Sequence, residues 1–107
     1  MDINTVGLLN NYPFDIIKLD LSNKQINGIL NLDKFSNLTV LDCWNNQITN
    51  LDNLPNSLTT LHCGNNQIKN LDNLPNSLTE LYCDQIKNLD NLPNSLIILN
   101  YVKFVKK

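Results

Sequence analysis

The chain has no arginine and no alanine, and only one histidine, one glutamate, one tryptophan and three glycines in 107 residues. Each shortage excludes something. Phosphate recognition leans on arginine forks and basic patches. A formal charge of −2 with lysine as the sole base offers neither, so nucleic acid is not an expected partner. One histidine and one glutamate leave out the usual acid–base and nucleophile–base constellations. His62 and Asp42 could be paired on paper, but an open surface that admits water suits a binding contact better than catalysis. No glycine-rich phosphate loop is present. The Asp-Asn-Leu-Pro-Asn-Ser segments lack the glycine and terminal glutamate of an EF-hand calcium loop. The expectation is a protein that is not an enzyme and takes no cofactor. No run approaches the ~18 apolar residues of a membrane span, and Met1-Asp2-Ile3-Asn4 carries no basic, apolar leader. A cytoplasmic location without membrane contact is therefore expected. The basic C-terminal residues Lys103, Lys106 and Lys107 read as a solvated tail.

Cysteine is scarce too, with three residues, but Cys43, Cys63 and Cys83 are evenly spaced. They invite a metal reading. Zinc needs four converging ligands, and His62, next to Cys63 on a strand, faces the opposite side. A disulfide between neighbouring turns fits the geometry, but nothing points to an oxidising compartment. The reading adopted is a column of small buried thiols, with no metal.

What the chain has in excess is asparagine, 21 of 107 residues, and the asparagines recur in a pattern. The stretch Leu58-Thr59-Thr60-Leu61-His62-Cys63-Gly64-Asn65-Asn66-Gln67-Ile68-Lys69-Asn70-Leu71-Asp72-Asn73-Leu74-Pro75-Asn76-Ser77 reads L-x-x-L-x-C-x-x-N-x-I-x-x-L-x-x-L-P-x-S. Related units stand on either side. Residues 16–37 form a first unit, 38–57 a second, 58–77 a third, 78–95 a shortened fourth and 96–101 a partial fifth. Residues 1–15 match no unit. Val6, Leu8, Leu9, Tyr12 and Phe14 suit an N-terminal cap over an open core, with Pro13 leading into the first unit. Residues 102–107 make a tail that either improvises a C-terminal cap or belongs to a longer series. Self-similarity at this period is the signature of a solenoid.

Alternation within each unit sets the expected core. Leu19/Leu21, Leu41/Cys43, Leu61/Cys63 and Leu81/Cys83 point inward from a short parallel strand. Ile26, Ile48, Ile68 and Ile86 at position 11, Ile29, Leu51, Leu71 and Leu89 at position 14, and Leu32, Leu54, Leu74 and Leu92 at position 17 fill the remainder. Pro55, Pro75 and Pro93 are expected to hold the return in an extended conformation. Asn46 and Asn66, at position 9, are expected to form a ladder that satisfies turn amides with no place in the sheet. Lys24 stands where the first unit should have this asparagine, and the fourth unit has lost two residues here. The turn at Asp84–Gln85 should therefore be the tightest and least regular, with Asp84 as a stand-in.

The core motif L-x-x-L-x-[LC]-x-x-N-x-[IL], almost intact twice and in register from 16 to 101, resembles the leucine-rich repeat family. The L-P-x-S-L punctuation is similar to short repeats of secreted bacterial effectors. The fuller phrase L-D-N-L-P-N-S-L-T-x-L-x-C looks closer to repeat proteins of giant DNA viruses, which would place the chain in a host cell's cytoplasm. The resemblance implies an α/β solenoid with one short parallel strand per turn on a concave face and a mostly irregular convex side. It also implies binding of another protein by the concave face.

The outward positions of that face are Lys18, Val40, Thr60, Glu80 and Ile98 in one column, and Asp20, Asp42, His62, Tyr82 and Asn100 in the next. Ser22, Trp44, Gly64, Asp84 and Val102 form the third. The core columns scarcely vary, whereas these change at every turn. Aromatic residues dominate interface energetics, so Trp44, His62 and Tyr82 are read as a cluster rimmed by Asp20, Asp42 and Glu80. Lys18, Val40, Thr60 and Asn100 complete the candidate partner-binding set. A spacer role, a piece of a longer repeat protein, and the recognition part of an effector whose catalytic domain lies elsewhere are the alternatives. End-to-end self-association through Val102, Phe104 and Val105 is a further expectation.

Overall fold

A computed structural model describes residues 1–84 and 86–104. Gln85, part of the expected irregular turn, and Val105, Lys106 and Lys107 lie outside the described residues. In chain order the elements are α1 (Ile3–Leu9), β1 (Lys18–Asp20), β2 (Asn27–Asn31), β3 (Val40–Asp42), β4 (Gln47–Asn53), β5 (Thr60–His62), β6 (Glu80–Tyr82), β7 (Ile98–Leu99) and β8 (Val102–Lys103). The chain winds as a solenoid of about four turns, 41 × 26 × 20 Å overall. β1, β3, β5, β6 and β7 stack in that order as parallel neighbours of one sheet. Successive strands begin 22, 20, 20 and 18 residues apart, with Lys18, Val40, Thr60, Glu80 and Ile98 in one row.

Each front strand is only two or three residues long, because the inward leucine alternates with outward polar positions and the chain then turns away. Leu19, Leu41, Leu61 and Leu81 are buried on the inner face, and Leu21, Cys43, Cys63 and Cys83 continue that column. Leu38, Leu58, Leu78 and Leu96 close the approach to each strand. Thr39, Thr59 and Thr79 donate their hydroxyls to the carbonyls of Ile17, Thr39 and Thr59.

The expected α/β character is corrected: this is a β-solenoid, and α1, with seven residues, is the one helix among the described residues. The returns are too short and too rich in asparagine to hold helices, since asparagine side chains compete for the backbone. Asn31, Asn50, Asn70 and Asn88 each accept from the amide two residues on, which bends the chain in the same way at every turn. The prolines were expected to keep the return extended. Pro55, Pro75 and Pro93 each head a tight turn in which Leu58, Leu78 and Leu96 donate back to their carbonyls. Pro13 does the same for Ile16. Ser57, Ser77 and Ser95 then donate to the carbonyls of Leu38, Leu58 and Leu78, each at 2.6 Å, and so fasten every turn to the one before.

The back of the coil is not uniformly irregular. β2 and β4 pair in parallel across turns one and two. Two expected core residues are not core. Ile29 is 48% exposed, and Leu30 is buried in its place. Gly28 adopts φ +79° and the register slips between Gly28 and Ile29, which shifts the inward phase by one residue. Leu89 is 46% exposed because the shortened fourth turn does not press its return onto the third.

At the N-terminal end, Asp2 caps α1 by accepting from Asn4. Thr5 and Leu9 are buried against the first turn, and Leu8 and Tyr12 pack at its margin. Val6 and Phe14, assigned to the cap's inner face, are exposed instead. A seven-residue helix presents only one narrow stripe inward, and Leu9 takes it. The Lys34 ammonium lies 5.4 Å from the Phe14 ring and 5.2 Å from the Phe35 ring. At the other end the chain turns back on itself. Asn100 and Tyr101 take φ +50° and +68°, and β8 pairs antiparallel with β7. Phe104 donates to Ile97 at 2.7 Å and packs at the core margin. β8 of this hairpin lies along the outer edge of β7.

Candidate functional site

The outer face of the six-stranded sheet gathers the candidate residues into rows. Lys18, Val40, Thr60 and Glu80 are register neighbours, as are Asp20, Asp42, His62 and Tyr82. Lys18 and Asp20 are exposed at the first strand, while Val40, Asp42, Thr60, His62, Glu80 and Tyr82 are half-buried by their neighbours. Trp44 follows β3 and is 46% exposed.

Local hydrogen bonds hold these side chains. Asp20 accepts from the Ser22 amide and hydroxyl, and these bonds hold its carboxyl below the usual range. Asp42 accepts from the Trp44 amide at 3.0 Å and so fixes the base of the indole. Glu80 accepts from the Tyr82 hydroxyl at 2.8 Å and from Thr60 at 3.4 Å. The carboxylate raises the Tyr82 phenol above its ordinary value, because ionising the phenol would break that bond and set two anions side by side.

The aromatic residues form a row. His62 and Tyr82 stack at 4.3 Å with planes 23° apart, which follows from their direct register in a parallel sheet. Tyr101 extends the row at 4.5 Å with a 46° tilt and is 80% exposed. Tyr101 was not anticipated from the sequence. It reaches the row because the hairpin turn falls at Asn100–Tyr101. The signal for it was Asn100, a residue type that tolerates the left-handed region between two short apolar runs.

Asn100 itself does not present its side chain as an outward contact. Its amide oxygen accepts from the Cys83 backbone amide at 2.8 Å and its nitrogen donates to the Cys83 carbonyl at 3.0 Å. It clamps the end of β6 instead. Val102, also assigned to the outer columns, belongs to the reversed strand β8 and is 67% exposed.

Two asparagine ladders support this face from beneath. In the buried one, Asn46 accepts from Lys24 and Ile26 and donates to the carbonyls of Leu21 and Cys43. Asn66 accepts from Ile48 and donates to Cys43, Cys63 and Gly64. The exposed ladder runs one position earlier, through Asn23, Asn45 and Asn65, all with positive φ. Asn65 donates to Asn45, and Asn45 to Asn23. The paired asparagines Asn45-Asn46 and Asn65-Asn66 were its visible trace. Asp84 supports the same loop differently. Asn23 and Asn45 donate their backbone amides to the carbonyls of Trp44 and Gly64. Asn65 donates instead to the Asp84 carboxylate at 3.1 Å. Asp84 thus serves the Asn65 amide, not the Ile68 amide that a third asparagine rung would meet. Gly64 leaves room for the indole: a Cβ there would lie 3.1 Å from Trp44 Cδ1 and 3.4 Å from Asp84 Oδ1.

The three cysteines are buried thiols. Burial raises Cys43, and Cys63 is raised first by its hydrogen bond with Cys83 and then by burial. Such thiols are poor nucleophiles and poor metal ligands. Among the described residues, no group of histidine, cysteine, aspartate or glutamate side chains is placed to hold a metal ion, and no helix is long and apolar enough to cross a membrane. A cleft of about 960 Å³ opens on the back between the third and fourth returns, with Ile68, Leu71, Ile86 and Asn91 in its walls. No protein-family description matches the chain, and no curated protein matches it.

Proposed function

We propose that this chain is a leucine-rich repeat protein, a non-enzymatic module that binds another protein on the outer face of its six-stranded sheet. The contacts would come from Lys18, Asp20, Val40, Asp42, Trp44, Thr60, His62, Glu80 and Tyr82, with Tyr101 in the place first assigned to Asn100. The repeat assignment is supported by the L-x-x-L-x-C motif, whose leucines and cysteines are the buried column, and by the buried asparagine after it. The observation that carries the binding reading is the aromatic row His62–Tyr82–Tyr101 beside a half-exposed Trp44. A protein with no partner on this face gains little from leaving large rings in water, whereas aromatic anchors supply most of the energy of protein interfaces. The buried thiols suit a reducing setting such as the cytoplasm, of a host cell if the source is viral.

The test compares capture of partners by the wild type, by Trp44→Ala/Tyr82→Ala, and by Asp33→Asn/Asp90→Asn away from this face. The proposal expects a partner that is lost with the first variant and kept with the second, while circular dichroism is unchanged in all three. Retention of the same partner by Trp44→Ala/Tyr82→Ala would overturn it.

A further inference from the structure

The net charge of −2 hides a segregation. On the outer face of turns two to four the charged groups in the three outward columns are Asp42, Glu80 and Asp84, with no lysine among them. Lysines meet this face only at its two ends. Lys18, beside Val40, belongs to the first turn with Lys24, Lys34 packs over Phe14 and Phe35, Lys69 and Lys87 line the cleft on the back, and Lys103 pairs with Ile98 at the far edge of the sheet.

These carboxylates are also held in place. Asp42 is fixed by the Trp44 amide, Glu80 by Tyr82 and Thr60, and Asp84 by the Asn65 amide. Each of these bonds uses one or two of about four acceptor positions on a carboxylate. Each group therefore keeps lone pairs for an incoming donor and loses little freedom when it meets one. Between them stand the apolar surfaces of Trp44 and of the Tyr82–Tyr101 pair. Arginine and lysine side chains combine a charged head with a hydrocarbon stem, and the guanidinium also stacks on aromatic rings. An acidic partner would meet three carboxylates, with lysines only at the two edges of the face.

We propose that the outer face of turns two to four receives an extended basic segment of a partner protein. Its arginine or lysine heads are set against Asp42, Glu80 and Asp84, and their stems lie over Trp44 and the Tyr82–Tyr101 pair. This rests on the reading that the face binds a protein, and it names that protein's chemistry.

Trp44 is the single tryptophan and lies within the site, so its fluorescence reports occupancy directly. The probes are short synthetic peptides in which serine alternates with arginine, lysine, glutamine or glutamate. The arginine and lysine peptides are expected to shift Trp44 emission saturably, with affinity falling as salt is raised. Asp42→Asn/Glu80→Gln is expected to weaken them by about three- to tenfold, while Asp33→Asn/Asp90→Asn leaves them unchanged. Glutamine or glutamate peptides binding as tightly as the basic ones would overturn the basic chemistry and leave the face as a protein site. Basic peptides that fail to bind, or that weaken equally with the distant variant, would also overturn it. Failure of the underlying reading is seen separately, as partner capture that survives Trp44→Ala/Tyr82→Ala.

Discussion

The first two turns and the last two are built on the same front and on different backs. β1, β3, β5, β6 and β7 stay in register through turns of 22, 20, 20 and 18 residues. On the back, β2 and β4 pair across the early turns. The third return meets the second without a paired strand, through Gln67 to Ile48 at 2.9 Å, Lys69 to Thr49 at 3.4 Å and Ile48 to Asn66 at 3.0 Å, and a cleft bridged by Asn91 to Asp72 lies between it and the fourth. The front has no slack, because moving one residue there would turn a leucine outward. Every gain or loss of length is absorbed behind. The outer face is thus kept regular at the expense of the side opposite, where irregular backbone can meet water.

The strongest way to break this comparison is to truncate equivalent leucines on the two backs. Leu51 is 3% exposed and Leu89 is 46% exposed. Leu51→Ala is expected to cost about 2–4 kcal/mol and Leu89→Ala about 1 kcal/mol or less, by urea unfolding. Equal costs would mean that the fourth return is as tightly packed as the second. Next comes Asn66→Ala, which leaves the Ile48 amide without its partner and takes one donor from the Cys43, Cys63 and Gly64 carbonyls in the buried ladder. An expected loss of about 2–3 kcal/mol follows from leaving such groups unsatisfied. Asn65→Gly, which accepts the positive φ of this exposed ladder position, should cost under ~1 kcal/mol by the same measurement, because water replaces the lost partner.

A gain should come from repairing the fourth turn. Inserting Asn-Asn after Asp84 restores the spacing of the third and offers the Ile68 amide a rung. About 1 kcal/mol of added stability is expected, with slower hydrogen exchange at Ile68. No change at Ile68 would show that the back opens for another reason. The smallest effect is at Gly64, where alanine must push the Trp44 indole aside. A cost of about 0.5 kcal/mol and a shift in Trp44 emission are expected, with the back of the coil untouched.

The front of the solenoid was legible because one rule, alternation, acts on it repeatedly. Leu41, Leu61 and Leu81 could be placed inside from their spacing alone, and that fixes which residues face outward. The back was less legible because its phase depends on single events. Gly28 at positive φ exchanged Ile29 for Leu30, and a two-residue deletion uncovered Leu89. The tight turn that each proline heads, closed by a leucine amide, was not legible in the sequence. At the C-terminal end the alternation of β7 was carried two residues too far. The reversal at Asn100–Tyr101 took Asn100 out of the outer columns and put Tyr101 into the aromatic row.

The serine staples carry a consequence for how such a molecule changes over generations. Ser57, Ser77 and Ser95 each reach back one full circuit to the leucine that opens their own unit, and Thr59 and Thr79 reach back to the carbonyls of Thr39 and Thr59. Donor and acceptor belong to the same short phrase, written nearly verbatim at each turn. A cassette copied in the gene would arrive with both halves of its fastening and would join its parents at either seam without a mismatched bond. Its buried letters would be constrained from the start, while its three outward letters would be free to drift. Lengthening by duplication and retuning of the face are therefore separable events, each open to selection without undoing the other.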